Sequence, residues 1–187
     1  MERQVGSGRI ELMVGNIVEQ TTDAVVNAAN TKLSGGGGVD GAIHRAAGPA
    51  LKEACRKLPA HEKGRRLATG EAHATVAGDL PAKWVIHAVG PFYNERYREK
   101  ACGQLRQVHL GAMQAAADLG CRSIAFPAIS TGAYRFPMDL AAEIALQAVA
   151  DFLQDKTSLE RARFTLFTPS RLATFENALL QITKGTV

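Results

Sequence analysis

The stretch Ser34–Gly48, SGGGGVDGAIHRAAG, places four consecutive glycines ahead of an aspartate and a helix-like run. Glycine loses more backbone freedom on folding than any other residue, about 0.5–1 kcal/mol relative to alanine in a regular element. Four in a row therefore mark a place where the fold needs bare backbone. A flexible linker would continue into polar, low-complexity sequence, whereas this run passes at once into VDGAIHRAAGPALKEAC (39–55). Unpaired N–H groups leading into a helix N-terminus attract negative charge without any lysine. An anion, phosphate first, is the expected ligand.

On either side of this loop the chain alternates two periods. The runs IELMV (10–14), DAVVNAA (23–29), KWVIHAV (83–89), SIAFPA (123–128) and RFTLF (163–167) are short, apolar and rich in β-branched or aromatic residues, and EAHATV (71–76) is a further candidate. They predict buried strands. Helical spacing of apolar residues covers 41–58, 97–119, 138–153 and 171–183. Strands alternating with helices predict an α/β layered domain whose largely parallel sheet is covered on both faces.

Ligands of such sheets bind at the carboxyl ends of the strands, which directs attention to three junctions: VGNI (14–17), NAANTKLSGGGGVDG (27–41) and PAISTGAYRFP (127–137). The last places Ser130, Thr131 and Gly132 before a helix start, so it too offers amides and hydroxyls to an anion. Two such cradles suit a diphosphate.

At 187 residues and 46% hydrophobic content the chain fits one domain that buries about 70% of its unfolded surface. No apolar run reaches the roughly 20 residues needed to span a bilayer, and the first residues lack a signal-peptide pattern, so a cytoplasmic protein with no membrane partner is expected. Cys55, Cys102 and Cys121 show no metal-ligand or disulfide spacing, and no metal or other cofactor is expected. The net charge of +4 is scattered except at Glu62–Arg66, and aromatics are only 6%, which disfavours a dedicated nucleic-acid binder.

Rival motifs fail on spacing. Gly36-x-Gly38-x-x-Gly41 matches a dinucleotide fingerprint formally, but no strand-end acidic residue follows about 20 positions on. No Gly-Lys-Ser/Thr closes a glycine run, and AISTG is not a nucleophile elbow. His44 lies one helical turn after Asp40 and is placed to meet its carboxylate. His87 sits mid-strand as a core histidine. Asn27 and Asn30 flank two alanines at a strand end, where asparagines tie loops to strands. Asn30, nearer the glycines, is the better ligand contact.

These residues carry a family resemblance. The segments VGNIVEQTTDAVVNAANTKLSGGGGVDGAIHRAAGPAL, LPAKWVIHAVGP and IAFPAISTGAYRFP resemble a macrodomain of the MacroD type, over about 10–183 of a single 1–187 domain. The resemblance implies a three-layer α/β/α fold with a mixed, largely parallel central sheet. It implies an ADP-ribose cleft across the sheet's carboxyl end, and removal of mono-ADP-ribose from acidic side chains of proteins or deacetylation of O-acetyl-ADP-ribose. Asn16 and Ile17 would then hold the adenine, with Phe167 beside its ring. Gly36, Gly37, Gly38, Val39 and Gly41, with His44 nearby, and Ser130, Thr131, Gly132, Ala133 and Tyr134 would wrap the diphosphate and distal ribose. Asn30 would position the ribose hydroxyls and Asp40 would activate water.

Asp40 is the only carboxylate in the two loops, so the two-carboxylate scheme of ordinary glycosidases is absent and the substrate's own phosphate is a second candidate for the base. Two residues depart from the pattern. Asn16 stands where related chains commonly carry aspartate, so its bond to the adenine amino group would not be charge-assisted. Arg135 stands where glycine is common. A non-catalytic ADP-ribose reader is the alternative function, and a regulatory protein contacting RNA a more distant one.

Overall fold

The computed structural model describes residues 1–155 and 157–184, without the side chains of Glu62, Thr183 and Lys184; the last three residues of the expected domain lie outside it. Among the described residues seven strands form one sheet. In chain order they are β1 (Glu2–Val5), β2 (Gly8–Val14), β3 (Ala24–Ala28), β4 (Ala72–Val76), β5 (Trp84–Ala88), β6 (Ser123–Phe126) and β7 (Arg161–Leu166). Across the sheet the order is β1-β2-β7-β6-β3-β5-β4. The five central strands run parallel, and β1 and β4 close the edges antiparallel.

Because the central strands are buried on both sides, alternate residues feed two separate cores. Ala24, Val26, Ile86 and Ile124 point into the larger one, shared with Leu105, Leu146 and Phe175. Val25, Val85 and Ala125 point into the smaller, shared with Ile43, Leu51 and Cys55. Helices α3 (Arg98–Asp118), α4 (Met138–Gln154) and α5 (Pro169–Lys184) cover the first face. Helices α1 (Gly38–Ala47) and α2 (Pro49–Lys57) cover the second. The protein is thus a three-layer α/β/α fold.

Two elements differ from the sequence expectation. The run 41–58 is two helices, because Gly48 adopts φ 69° and ψ −169° and Pro49 opens the second. Pro49 has no N–H to continue the ladder, and its ring favours a helix start. Strand β1 was not expected from ERQV, three of whose four residues are exposed, so that alternation has no apolar face to reveal it.

The chain leaves β3 for α1 on one face and leaves β6 for α4 on the other. The crevice outside the carboxyl ends of the adjacent β3 and β6 is therefore the topological switch point, where open α/β sheets bind ligands. Asp23 fixes the opposite ends of these strands. Its carboxylate accepts from Lys83 Nζ, Arg122 N, Ser123 N and Ser123 Oγ, all at 3.0–3.1 Å. Burial alone would raise its pKa, but these donors win and hold it at about 2.

Candidate functional site

A cleft of about 560 Å3 opens at this switch point. One wall is the glycine loop, Gly36 to Asp40, and the other is the Ser130–Tyr134 loop after β6. The glycines are there for geometry. Gly35 and Gly38 have φ of +77° and +59°, a left-handed conformation that L side chains rarely adopt. The resulting turn delivers Gly38 and Val39 as the first residues of α1, so their free N–H groups open beside the cleft.

The facing loop is held from within. Thr131 Oγ1 donates to Ala128 O at 2.9 Å, Phe136 N to Ser130 O at 3.0 Å, and Tyr93 N to Tyr134 O at 2.9 Å. Ser130 is itself left-handed (φ +66°), and its buried hydroxyl has no hydrogen-bond partner among the described residues. Phe92 stacks on Tyr134 with ring centroids 3.7 Å apart. Burial, and after it the Asp40 carboxylate, push the Tyr134 phenol above its ordinary pKa, so it stays a neutral donor.

Asp40, in the first turn of α1, is only 6% exposed. Its Oδ1 accepts from Asn27 Nδ2 at 2.8 Å and its Oδ2 from Asn30 Nδ2 at 3.2 Å. The carboxylate thus sits at a helix N-terminus with an amide donor on each oxygen. His44 Nε2 lies 3.4 Å from Asp40 Oδ1, close enough for an ion pair but aligned too poorly to hydrogen-bond. Asn30 is engaged by its own loop: its amide also donates to Gly35 O at 2.9 Å, and its carbonyl accepts from Lys32 N at 3.0 Å.

Eleven of the sixteen sequence-predicted site residues line the cleft: Asn30, Asp40, Gly36, Gly37, Gly38, Val39 and the five residues Ser130–Tyr134. Asn16, Ile17, Gly41, His44 and Phe167 do not. Ile17 is buried in the smaller core. Gly41 sits beneath the glycine loop rather than in the cleft, and His44 packs under Gly35. Phe167 stands 75% exposed just after β7.

Asn16 caps the short 3-10 turn Ile17–Glu19 and donates from Nδ2 to Glu19 Oε1 at 3.3 Å. Aspartate there would lose that bond and face a second carboxylate, which offsets what a charge-assisted contact to an adenine would gain. Arg135 takes the left-handed conformation usual for glycine, φ +56°, with its side chain in solvent.

Sequence reasoning missed Gly90 and Arg171. A Cβ on Gly90 would lie 2.2 Å from Ser130 Oγ, so only glycine lets β5 end against that loop. Arg171, in the first turn of α5, is part of the cleft wall and has no ion pair among the described residues. Its signal was a lone basic residue at a helix start, where the dipole disfavours a cation unless an anion is near.

Among the described residues one group could hold a metal. Ligand atoms of His44, Cys55 and His87 lie within 4.8 Å of one another. Their sequence separation gave no hint of this. Both ring nitrogens of His87 already have partners, however, and burial, followed by the Asp40 charge, pushes the Cys55 thiol up to about 11. These are the properties of a packed polar cluster.

Comparison with known proteins meets this geometry at every level. The macro domain family model matches residues 26–145, which run from β3 through both cleft loops into α4. A macro domain-containing protein of Streptomyces coelicolor is 52% identical over 84% of this chain and 90% of its own. An O-acetyl-ADP-ribose deacetylase of Enterobacter sp. strain 638 is 46% identical over 92% of this chain and 94% of its own. The Oceanobacillus iheyensis macrodomain solved with ADP superposes with a TM-score of 0.91 at 37% identity, covering 99% of this chain and 97% of that one. A Trypanosoma brucei macrodomain in complex with ADP-ribose gives 0.81 at 37% identity, covering 91% and 68%. With its sheet order, its glycine cradle and these relatives all in agreement, the chain belongs to the macro domain family.

Proposed function

We propose that this protein binds ADP-ribose in the switch-point cleft and hydrolyses O-acetyl-ADP-ribose, and that the same site removes mono-ADP-ribose from acidic side chains of proteins. The observation that carries the reading is Asp40: a buried carboxylate, held by two amide donors, on the wall of a cleft lined by no second carboxylate among the described residues. A binding site alone needs the cradles and no such carboxylate. The relatives named as O-acetyl-ADP-ribose deacetylases support the first substrate.

In this reading the amides of the Gly36–Val39 turn and of the Ser130–Tyr134 loop hold the diphosphate. Tyr134, backed by Phe92, covers the distal ribose. Asp40 takes a proton from a water that attacks the ester carbonyl; the bond from the carbonyl carbon to the ribose oxygen breaks, acetate leaves, and the ribose oxygen regains a proton. Asn30 holds Asp40 and the glycine loop in place, and it meets a ribose hydroxyl only by exchanging one of its present bonds. Asn16 and Phe167 frame an adenine beyond the cleft.

The test is release of acetate from O-acetyl-ADP-ribose and of ADP-ribose from a glutamate-linked mono-ADP-ribosylated protein, with binding measured by calorimetry. Turnover of either supports hydrolysis and identifies the substrate. Tight binding with neither product would make the protein a reader.

Arg171 is expected to add electrostatic attraction for the diphosphate. Because the side chain is partly exposed, Arg171→Ala costs roughly 0.5–1 kcal/mol, a two- to five-fold rise in the Kd of ADP-ribose. The difference shrinks at high salt, where exposed charges are screened. Calorimetry at two ionic strengths checks it.

A further inference from the structure

Behind Asp40 a chain of buried polar groups runs away from the cleft and across the sheet. Asn27 on β3 and His87 on β5 are register partners, and Thr75 lies on the edge strand β4. Asn27 Nδ2 is 2.8 Å from Asp40 Oδ1 and 3.2 Å from His87 Nδ1. His87 Nε2 is 3.0 Å from Thr75 Oγ1, which is 3.2 Å from the Val76 carbonyl. Asn27 and His87 have no exposed surface, and Thr75 is 7% exposed.

The chemistry of the groups fixes the direction of every bond. An amide NH2 only donates, so Asn27 supplies one hydrogen to Asp40 and the other to His87 Nδ1, which must therefore carry a lone pair. The ring proton then sits on Nε2 and goes to Thr75 Oγ1, whose own hydrogen goes to Val76 O. The reverse orientation of the Asn27 amide would set its oxygen against the Asp40 carboxylate. His87 also faces His44 on α1, Cys55 on α2 and His73 on β4. Burial, then the two histidines, hold its pKa at about 3, so it stays neutral across the working range.

We propose that His87, held as the Nε2–H tautomer by Thr75, fixes the orientation of the Asn27 amide and through it the placement of the Asp40 carboxylate, making His87 and Thr75 positioning residues for hydrolysis. The inference rests on Asp40 acting as the base. It uses groups that do not line the cleft.

The test combines imidazole NMR with variants. Long-range proton–nitrogen correlation on histidine-labelled protein, with His87 assigned by loss of its signals in His87→Asn, is expected to show the Nε2–H tautomer with no titration between pH 5 and pH 8. An Nδ1–H tautomer, or titration in that range, overturns the proposal. His87→Leu removes the acceptor for Asn27, whereas His87→Asn can present a side-chain oxygen near the place of Nδ1. Acetate release by His87→Leu is expected to fall roughly ten- to hundredfold in kcat, with the Kd of ADP-ribose within about threefold, and His87→Asn is expected to recover most of it.

Equal kcat in the two folded variants would overturn the proposal, since a merely structural role predicts no rescue. Should His87→Leu not fold, Thr75→Val takes its place: a several-fold lower kcat at unchanged Kd supports the relay, and wild-type kcat overturns it. The relay and the proposed hydrolysis fail separately. If the wild type releases no product, the tautomer and the exchange protection of the Asn27 amide hydrogens, lost in His87→Leu and regained in His87→Asn, still decide the relay.

Discussion

Asp40→Ala is expected to lower kcat for acetate release by roughly 10²–10⁴-fold, the range a positioned general base contributes, while leaving ADP-ribose affinity unchanged or slightly higher. The two halves of the expectation have separate causes. Turnover falls because, among the described residues, no other carboxylate lines the cleft to take the water's proton. Affinity survives because the proposed binding mode holds the diphosphate by backbone amides, and removing a negative charge beside a bound anion lowers repulsion. Asp40→Asn is a harsher test than its size suggests. Asn27 and Asn30 both donate to the carboxylate, so an amide at position 40 would turn its own NH2 toward one of them and leave a buried donor unpaired. Calorimetry with both variants, beside product release, separates the outcomes. A variant that binds but keeps its turnover would move the base to the substrate's phosphate.

How much of this was legible beforehand follows from which interactions are local. Strands β3, β5, β6 and β7 announced themselves because burial on both faces makes them continuous apolar runs. Edge strand β1 did not, because its three exposed residues carry no apolar periodicity. The glycine loop and Asp40 were readable for the same reason: the costly glycines and the helix start are neighbours in sequence. The second helix boundary at Gly48–Pro49 was present as a breaker pair but masked by continuous helical spacing on either side.

Arg171 and Gly90 belong to the cleft only because α5 and the end of β5 reach it through the fold, over distances no local pattern reports. The link from Thr75 through His87 to Asn27 is likewise a property of strand register. His87 read as a core histidine, and its burial agrees; what register adds is the partner on each ring nitrogen. Gly41 is the converse case. Its place in the glycine motif suggests ligand contact, and the fold adds a packing role as the seat of the loop.

That seat gives the second large expectation. In a helix, glycine to alanine ordinarily gains stability, about 0.5–1 kcal/mol, and Gly41 lies within α1. Yet a Cβ at this position would stand 2.2 Å from the Gly36 carbonyl oxygen and 3.2 Å from Arg45 Nη1. A carbon and an oxygen need more than 3 Å, so in Gly41→Ala the backbone at Gly36 must withdraw by roughly 1 Å, and a misplacement of that size can cost up to ~10²-fold at a positioned site. ADP-ribose affinity is expected to fall at least tenfold, and kcat with it, because Gly36 lies against both the ligand cradle and Asp40 Oδ2. The melting temperature is expected to move little, the helix gain offsetting the displaced loop. Gly37→Ala supplies the contrast. Its Cβ would meet nothing within 4 Å, and its φ of −100° suits any residue, so the fold accepts it. Weaker binding by Gly37→Ala would report direct contact with the ligand, while weaker binding by Gly41→Ala reports the loop's support. If Gly41→Ala bound and turned over like the wild type, the glycine cradle would have to be far more compliant than its packing on α1 implies.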